Sequence, residues 1–169
     1  MVILQRYSLR LRPLQIPNDI SLALPWYQDP EVLYYSEGEG TEPYTAETIE
    51  RMYRWLSREG YVFIIEVLHM SSNDWLPIGD ATLRQDMLPL IIGDPSYRSA
   101  GLGIQVLHLL IEHAQTLAWP LLTAHKIYSY NVRSQRLFEK AGFVRVGEGT
   151  DDHGRLFFQY KLDLPSRHA

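Results

Sequence analysis

The stretch Tyr97-Arg98-Ser99-Ala100-Gly101-Leu102-Gly103 has residue types and a spacing suited to holding an anion. It follows a strand-like apolar run and opens the most strongly periodic helical segment of the chain. Two glycines allow a ligand to approach the backbone closely, and the first N–H groups of a helix have no partners inside it and sit at the positive end of its dipole. A pyrophosphate would be held there with few side chains. The dinucleotide fingerprint needs a third glycine in a strand-helix-strand frame, and a phosphate loop ends in Gly-Lys-Ser/Thr, so neither nucleotide motif applies. A glycine-rich turn before a core helix is the plainer reading of the same residues.

A second block, Asn131-Val132-Arg133-Ser134-Gln135-Arg136-Leu137-Phe138-Glu139-Lys140-Ala141-Gly142-Phe143, reads as a helix capped by Asn131 and stopped at Gly142. The run Ile91 to Gly103 resembles the acyl-CoA-binding signature of the GNAT (GCN5-related N-acetyltransferase) superfamily. The second block is similar to that family's Asn-x-x-Ser…Glu-Lys-x-Gly-Phe segment, especially in the RimJ/RimL-like branch. The resemblance implies a GNAT fold of the α/β (α+β) class. Its sheet is mixed and mostly antiparallel, with helices on both faces, and a parallel strand pair, here Met87–Ile92 and Leu122–Tyr128, splays apart to admit the pantetheine arm. It further implies acetyl-CoA (CoA) as co-substrate. Backbone amides of Arg98, Ser99, Ala100, Gly101, Leu102 and Gly103 would hold its pyrophosphate, strand groups of Leu90, Ile91 and Ile92 would pair with pantetheine, and Asn131 would reach it from the other side. The expected activity is acetyl transfer to a primary amine of a small molecule or a protein N-terminus. An aminoglycoside-type acetyltransferase is the alternative suggested by Trp26 to Val32 and the acidic loop after it. A non-catalytic acyl-CoA-binding domain is a further one, suggested by Pro89 and Phe138.

Amine acylation needs an unprotonated nitrogen, a polarised thioester carbonyl and sometimes a proton for the departing thiolate. Asp86, just before the CoA-facing strand, lies near where some family members carry their base, while Glu37, Glu39 and Glu42 could attract a cationic substrate. Many relatives carry a tyrosine where this chain has Phe138, and a phenyl ring has no proton to give, so Tyr130 or Ser134 must stand in if an acid is used. A thiolate of pKa about 8.5 also departs with little help. Pro89 lacks the N–H that would polarise the acetyl carbonyl, leaving Leu90 or Ile91 as donor. His69, His108, His113, His125 and His153 show no metal-like clustering, so no metal is expected.

The elements that must position these groups follow from periodicity. Tyr7–Leu11 reads as a first strand, and Asn18–Trp26 and Pro30–Ser36 as short helices. A helix capped by Thr45 runs to Arg58, followed by strands at Tyr61–Val67, Pro77–Leu83 and Met87–Ile92, the last weakened by Pro89. Then come a helix Leu102–Trp119, a strand Leu122–Tyr128, a helix Asn131–Ala141 and strands at Phe143–Val146 and Arg155–Leu162. At 169 residues, 46% hydrophobic and 21% charged, the chain reads as one ordinary globular domain over 1–169. A net charge of −4 argues against nucleic acid as partner and suits a cationic small molecule. The absence of cysteine rules out thiol catalysis and is compatible with a reducing cytoplasm; no apolar run is long enough to cross a membrane, and Met1–Arg10 does not resemble a signal peptide. The expected partners are acetyl-CoA and an amine, with a homodimer left open.

Overall fold

The computed structural model describes residues 2–165. Strands β1 (Leu4–Arg6) and β2 (Leu9–Pro13) form an N-terminal hairpin, followed by helices α1 (Asn18–Ala23), α2 (Pro30–Ser36) and α3 (Ala46–Ser57). Strands β3 (Tyr61–His69), β4 (Asp74–Leu83) and β5 (Leu90–Ile92) complete an antiparallel five-stranded sheet in the order β1-β2-β3-β4-β5. Helix α4 (Leu102–Thr116) crosses to β6 (Leu121–Tyr128), and α5 (Val132–Lys140) leads to β7 (Val144–Thr150) and β8 (Leu156–Asp163). The last three strands form a second antiparallel sheet in the order β6-β8-β7.

Successive side chains of a strand point to opposite faces, and β3 shows the consequence. Phe63, Ile65 and Val67 join the core beneath α4 and α5, whereas Val62 and Ile64 join a second core with Ile49, Tyr53 and Leu56 of α3. Helices cover both faces, which is why Val62–Ile65 of β3 reads as an unbroken apolar run rather than an alternating one.

Several boundaries differ from the sequence reading. The first strand begins two residues later, at Leu9, because Tyr7 sits at φ 54° in the tight turn of a hairpin whose other strand, β1, was not foreseen. The helix expected over Asn18–Trp26 stops at Ala23, since Pro25 breaks it and a 3-10 turn takes over at Trp26–Gln28. Helix α4 ends at Thr116 rather than Trp119: Ala118 turns left-handed at φ 57°, and the Trp119 N–H bonds back to Ala114, closing the helix ahead of Pro120. Strand β7 runs to Thr150 instead of Val146, through Gly147 and Gly149; a Cβ on Gly149 would lie 2.8 Å from the Phe157 ring.

The strand expected over Met87–Ile92 is regular only from Leu90. Its bonding phase with β4 is set by Gly93 N–H to Ile78 O (2.7 Å), Thr82 N–H to Pro89 O (2.9 Å) and Arg84 N–H to Met87 O (3.1 Å). Pro89 accepts from Thr82 and has no N–H to return, so the ladder thins there. Strands β5 and β6 start side by side, with Thr123 N–H donating to Gln85 O at 2.9 Å, yet they belong to different sheets and no ladder joins them further on. The gap between them is the cleft of the molecule.

Candidate active site

The cleft opens into a cavity of about 630 Å³ running from the β5–α4 loop past α5 to the helical layer of α2 and α3. Its donor end is built by the glycine loop. Asp94 caps a 3-10 turn at Pro95–Tyr97, Ser99 takes φ 61°, and Gly101 takes φ 76° as the N-cap of α4. A side chain at Gly101 would be strained whatever the space around it, since left-handed backbone favours glycine. Gly103 allows α5 to close in, with Leu137 Cδ2 3.3 Å from where its Cβ would lie. Among the described residues, no hydrogen bond outside α4 takes the N–H groups of Ser99 to Gly103, and those at the start of the helix have no partner within it. An anion fits this cradle, and Arg133 and Lys140, on the same face of α5 as Leu137, also line the cavity.

The bonding phase of β5 decides which strand groups are free. Residues 89, 91 and 93 turn their backbone toward β4, so Ile91 pairs with Asp80, and Leu90 and Ile92 turn theirs toward the cleft. Ile91 contributes its buried side chain to the core instead of a backbone bond to a ligand. That leaves Leu90 as the N–H able to polarise a carbonyl, one residue past Pro89.

Arg98 departs from its expected role. Its N–H is spent on Pro95 O at 3.3 Å. Its guanidinium is held by Asp29 (3.0 Å), Glu31 (2.8 Å) and the carbonyls of Ile92 and Gly93 (2.9 and 3.0 Å), tying α2 to the glycine loop. Although desolvation works against it, the Arg98 bond holds the Asp29 carboxyl below the usual range. Asn131 caps α5 through Oδ1, which accepts from Ser134 N–H at 3.1 Å, and its Nδ2 donates to Tyr35 O at 3.3 Å while the residue faces the cavity.

Of the remaining sequence candidates, Ser99, Gly101, Leu102, Gly103 and Ser134 line the cavity, whereas Ala100, Asp86 and Tyr130 do not. Asp86 is exposed and pairs with Arg84 at 3.0 Å through both oxygens. The Tyr130 hydroxyl donates to Tyr34 O (2.8 Å) and accepts from Glu39 N–H (3.1 Å), so its proton is engaged away from the cleft. Phe138 is buried edge-on against Phe143 and lines the cavity, with no hydroxyl to offer there.

The acceptor end holds a group absent from the sequence candidates. Asp80 of β4 is 3% exposed and lines the cavity. Tyr27 and Tyr53 both donate to its Oδ2, at 2.8 and 2.7 Å, and no described protein group bonds Oδ1. No buried side-chain oxygen is left without a partner among the described residues, so Oδ1 looks into the cavity. Burial raises the Asp80 carboxyl from 3.8 to about 6, against the pull of the Tyr53 and Tyr27 bonds and with a further push from the charge of Glu37. Burial likewise raises both tyrosines well above their ordinary value, so they remain donors. Glu37, at the end of α2, accepts from Tyr44 at 2.8 Å, and Tyr44 stacks on Tyr27 with centroids 5.5 Å apart. Neither Glu37 nor Asp80 has a cationic partner within ion-pair distance among the described residues. A charged residue in the otherwise uncharged run Ile78–Leu83 was the available signal for Asp80. Among the described residues there is no metal-ligating cluster.

The pattern of the acetyltransferase (GNAT) domain matches residues 8–144. Among solved structures, a domain from Methanocaldococcus jannaschii superposes with TM-score 0.77 at 22% identity, over 92% of this chain and 98% of its own. Aminoglycoside acetyltransferase AAC(6')-Ib, solved with coenzyme A, gives 0.75 at 18% over 92% and 95%. Spermidine N-acetyltransferase from Vibrio cholerae, solved with CoA and spermine, gives 0.74 at 17% over 94% and 96%. No curated protein sequence matches. At these identities the structural likenesses speak for the fold, whereas the domain match covers most of the chain and agrees with the free-amide cradle and the cleft between β5 and β6. The chain therefore belongs to the GNAT acetyltransferase family and is an acetyl-CoA-dependent N-acetyltransferase.

Proposed function

We propose that the acceptor is a primary amine that arrives as a cation, and that Asp80 takes its proton. The observation that carries this reading is the polarity of this cavity: free amides with Arg133 and Lys140 at the donor end, and Glu37 and Asp80, without a cationic partner among the described residues, beside Tyr27, Tyr35 and Trp55 at the other. An ammonium entering the acceptor end is attracted by Glu37 and the aromatic faces, and must lose a proton before its lone pair can attack.

Acetyl-CoA supplies the thioester. The Ser99–Gly103 amides orient its phosphates, and the Leu90 N–H polarises the acyl oxygen. Asp80 Oδ1 accepts the ammonium proton directly or through one water; its raised pKa lies nearer neutrality than an ordinary aspartate's, as suits a base. The amine nitrogen then bonds to the acyl carbon and the carbon–sulfur bond breaks. As that bond forms the nitrogen sheds its second proton, and Ser134, whose hydroxyl has no partner among the described residues and faces the cavity, relays this proton to the leaving thiolate, so that the products are the amide and the CoA thiol.

The neighbours solved with spermine or aminoglycosides support a small polycationic acceptor. The likeness of the Asn131–Phe143 segment to the RimJ/RimL-like branch supports a peptide N-terminus instead. The discriminating experiment is acetyl transfer, followed by mass spectrometry, to polyamines, aminoglycosides and N-terminal peptides at matched concentration. Preference for neutral or acidic acceptors over cationic ones would overturn the reading.

A further inference from the structure

The loop that carries Glu37 is fastened to the second sheet from outside the cavity. The Tyr128 hydroxyl, at the end of β6, shares its proton between Glu37 O (3.3 Å) and Asp151 Oδ2 (3.0 Å). Arg155, at the start of β8, donates from Nη1 to Glu39 O (2.6 Å) and from Nε to Asp151 Oδ2 (2.8 Å). Tyr130 holds Tyr34 O and Glu39 N–H. Between these attachments lies Gly38 at φ 111°, where an added Cβ would fall 2.1 Å from Arg155 Nη1. The loop backbone and the guanidinium are thus in direct apposition, with no space for a side chain.

The bonds to Tyr34 O, Glu37 O, Glu39 O and Glu39 N–H all involve main-chain atoms, so they determine the path of the loop whatever its side chains are, while Asp151 braces the side chains of Tyr128 and Arg155 that hold Glu37 O and Glu39 O. That path sets where the Glu37 carboxylate stands, with Tyr44 holding its far oxygen. Asp151 keeps the anchor charged: although desolvation works against it, N–H bonds from Arg155 and His153 and the Tyr128 hydroxyl hold it at about 2. Neither Arg155 nor Asp151 lines the cavity, so neither touches a substrate there.

We infer that Arg155, braced by Asp151 and Tyr128, is a positioning residue for the acceptor amine, acting from the second sheet through the backbone of residues 37–39 on Glu37. This rests on the reading of Glu37 as an acceptor contact. Affinity for the amine then depends on a residue that never meets it, while affinity for acetyl-CoA does not.

The test is steady-state kinetics of Arg155→Ala, Arg155→Lys, Gly38→Ala and Glu37→Gln on the best acceptor from a panel of primary amines including spermidine and kanamycin. Arg155→Ala should raise the amine KM about tenfold, with kcat and the acetyl-CoA KM changed by less than about twofold. Arg155→Lys, still able to reach Glu39 O, should restore much of the loss. Gly38→Ala should raise the amine KM from the loop side, and less than multiplicatively when combined with Arg155→Ala, because the two share one contact. If Glu37→Gln raises the amine KM and Arg155→Ala does not, the anchor is irrelevant and the inference falls. A loss spread equally over kcat and both KM values would make Arg155 ordinary structural support and also overturn it. If Glu37→Gln changes nothing, or no amine in the panel turns over, the reading of the acceptor end fails first and takes the inference with it.

Discussion

Replacing Asp80 by Asn should make the protein more stable and much less active. A carboxyl raised from 3.8 to about 6 in the fold is harder to ionise there than in the unfolded chain. The sign follows: the penalty is absent below the unfolded value, grows as pH rises between the two, and is complete above the folded one. At 1.36 kcal/mol per pH unit it amounts to about 3 kcal/mol at neutral pH. Asparagine carries no charge and its carbonyl still accepts from Tyr27 and Tyr53, though neutral bonds are weaker than charged ones, so a net gain of about 1–3 kcal/mol is expected. For a chain of this size that corresponds to a melting temperature about 3–10 °C higher at about pH 8, and to little change near pH 4. If Asp80 is the base, kcat/KM for the amine should fall about 10²- to 10⁴-fold. In the parent protein kcat/KM should rise with pH through an apparent pKa near 6, a limb that the variant lacks. The assay pairs denaturant melts at several pH values with acetyl-transfer rates over the same range. A variant that is less stable at pH 8, or that keeps its activity within about tenfold, would refute the reasoning.

The remaining predictions concern the two ends of the cavity. Gly103→Glu brings bulk and negative charge between the amide cradle and Leu137 of α5, and should abolish the thermal shift given by acetyl-CoA, which at about 100 times its Kd stabilises the parent by about 2.7 kcal/mol; an unchanged shift would move the donor site elsewhere. Ser134→Ala should lower kcat about 10²-fold with the acetyl-CoA KM little changed, provided the thiolate needs a proton; a loss of less than a few-fold would show that it leaves unaided. Glu37→Gln should raise KM for a cationic amine about tenfold and leave that for acetyl-CoA unchanged, as initial rates at varied amine would show.

The donor end was legible in the sequence because its chemistry is local. Gly101 and Gly103 act through backbone conformation at the start of one helix, and Asn131 caps the helix it precedes, so a few neighbouring residues define each role. Pro89 was read as removing the polarising N–H, but the bonding phase with β4 turns residue 89 toward the ladder, so the N–H it lacks is one the sheet would have used and the Leu90 N–H is the free one. Of the acceptor end only Glu37 was read from the sequence, because Tyr27, Tyr53 and Asp80 come from a 3-10 turn, a helix and a strand that meet only in the folded chain. Asp86 and Tyr130 lie at the right places along the chain but turn toward Arg84 and Tyr34, a matter of side-chain direction that spacing does not carry. Among the elements, β1 was hidden by its polar residues and the second half of β7 by Gly147 and Gly149, since neither stretch shows the alternation by which strands are read.

The most direct test of the account is thiol release from acetyl-CoA, measured with each amine of a graded series and without amine, in the parent protein and in Gly103→Glu. The account predicts amine-dependent release, stoichiometric with an N-acetylated product, favouring cationic acceptors and lost in the variant. Release that is independent of amine, or equal in the two proteins, would contradict it.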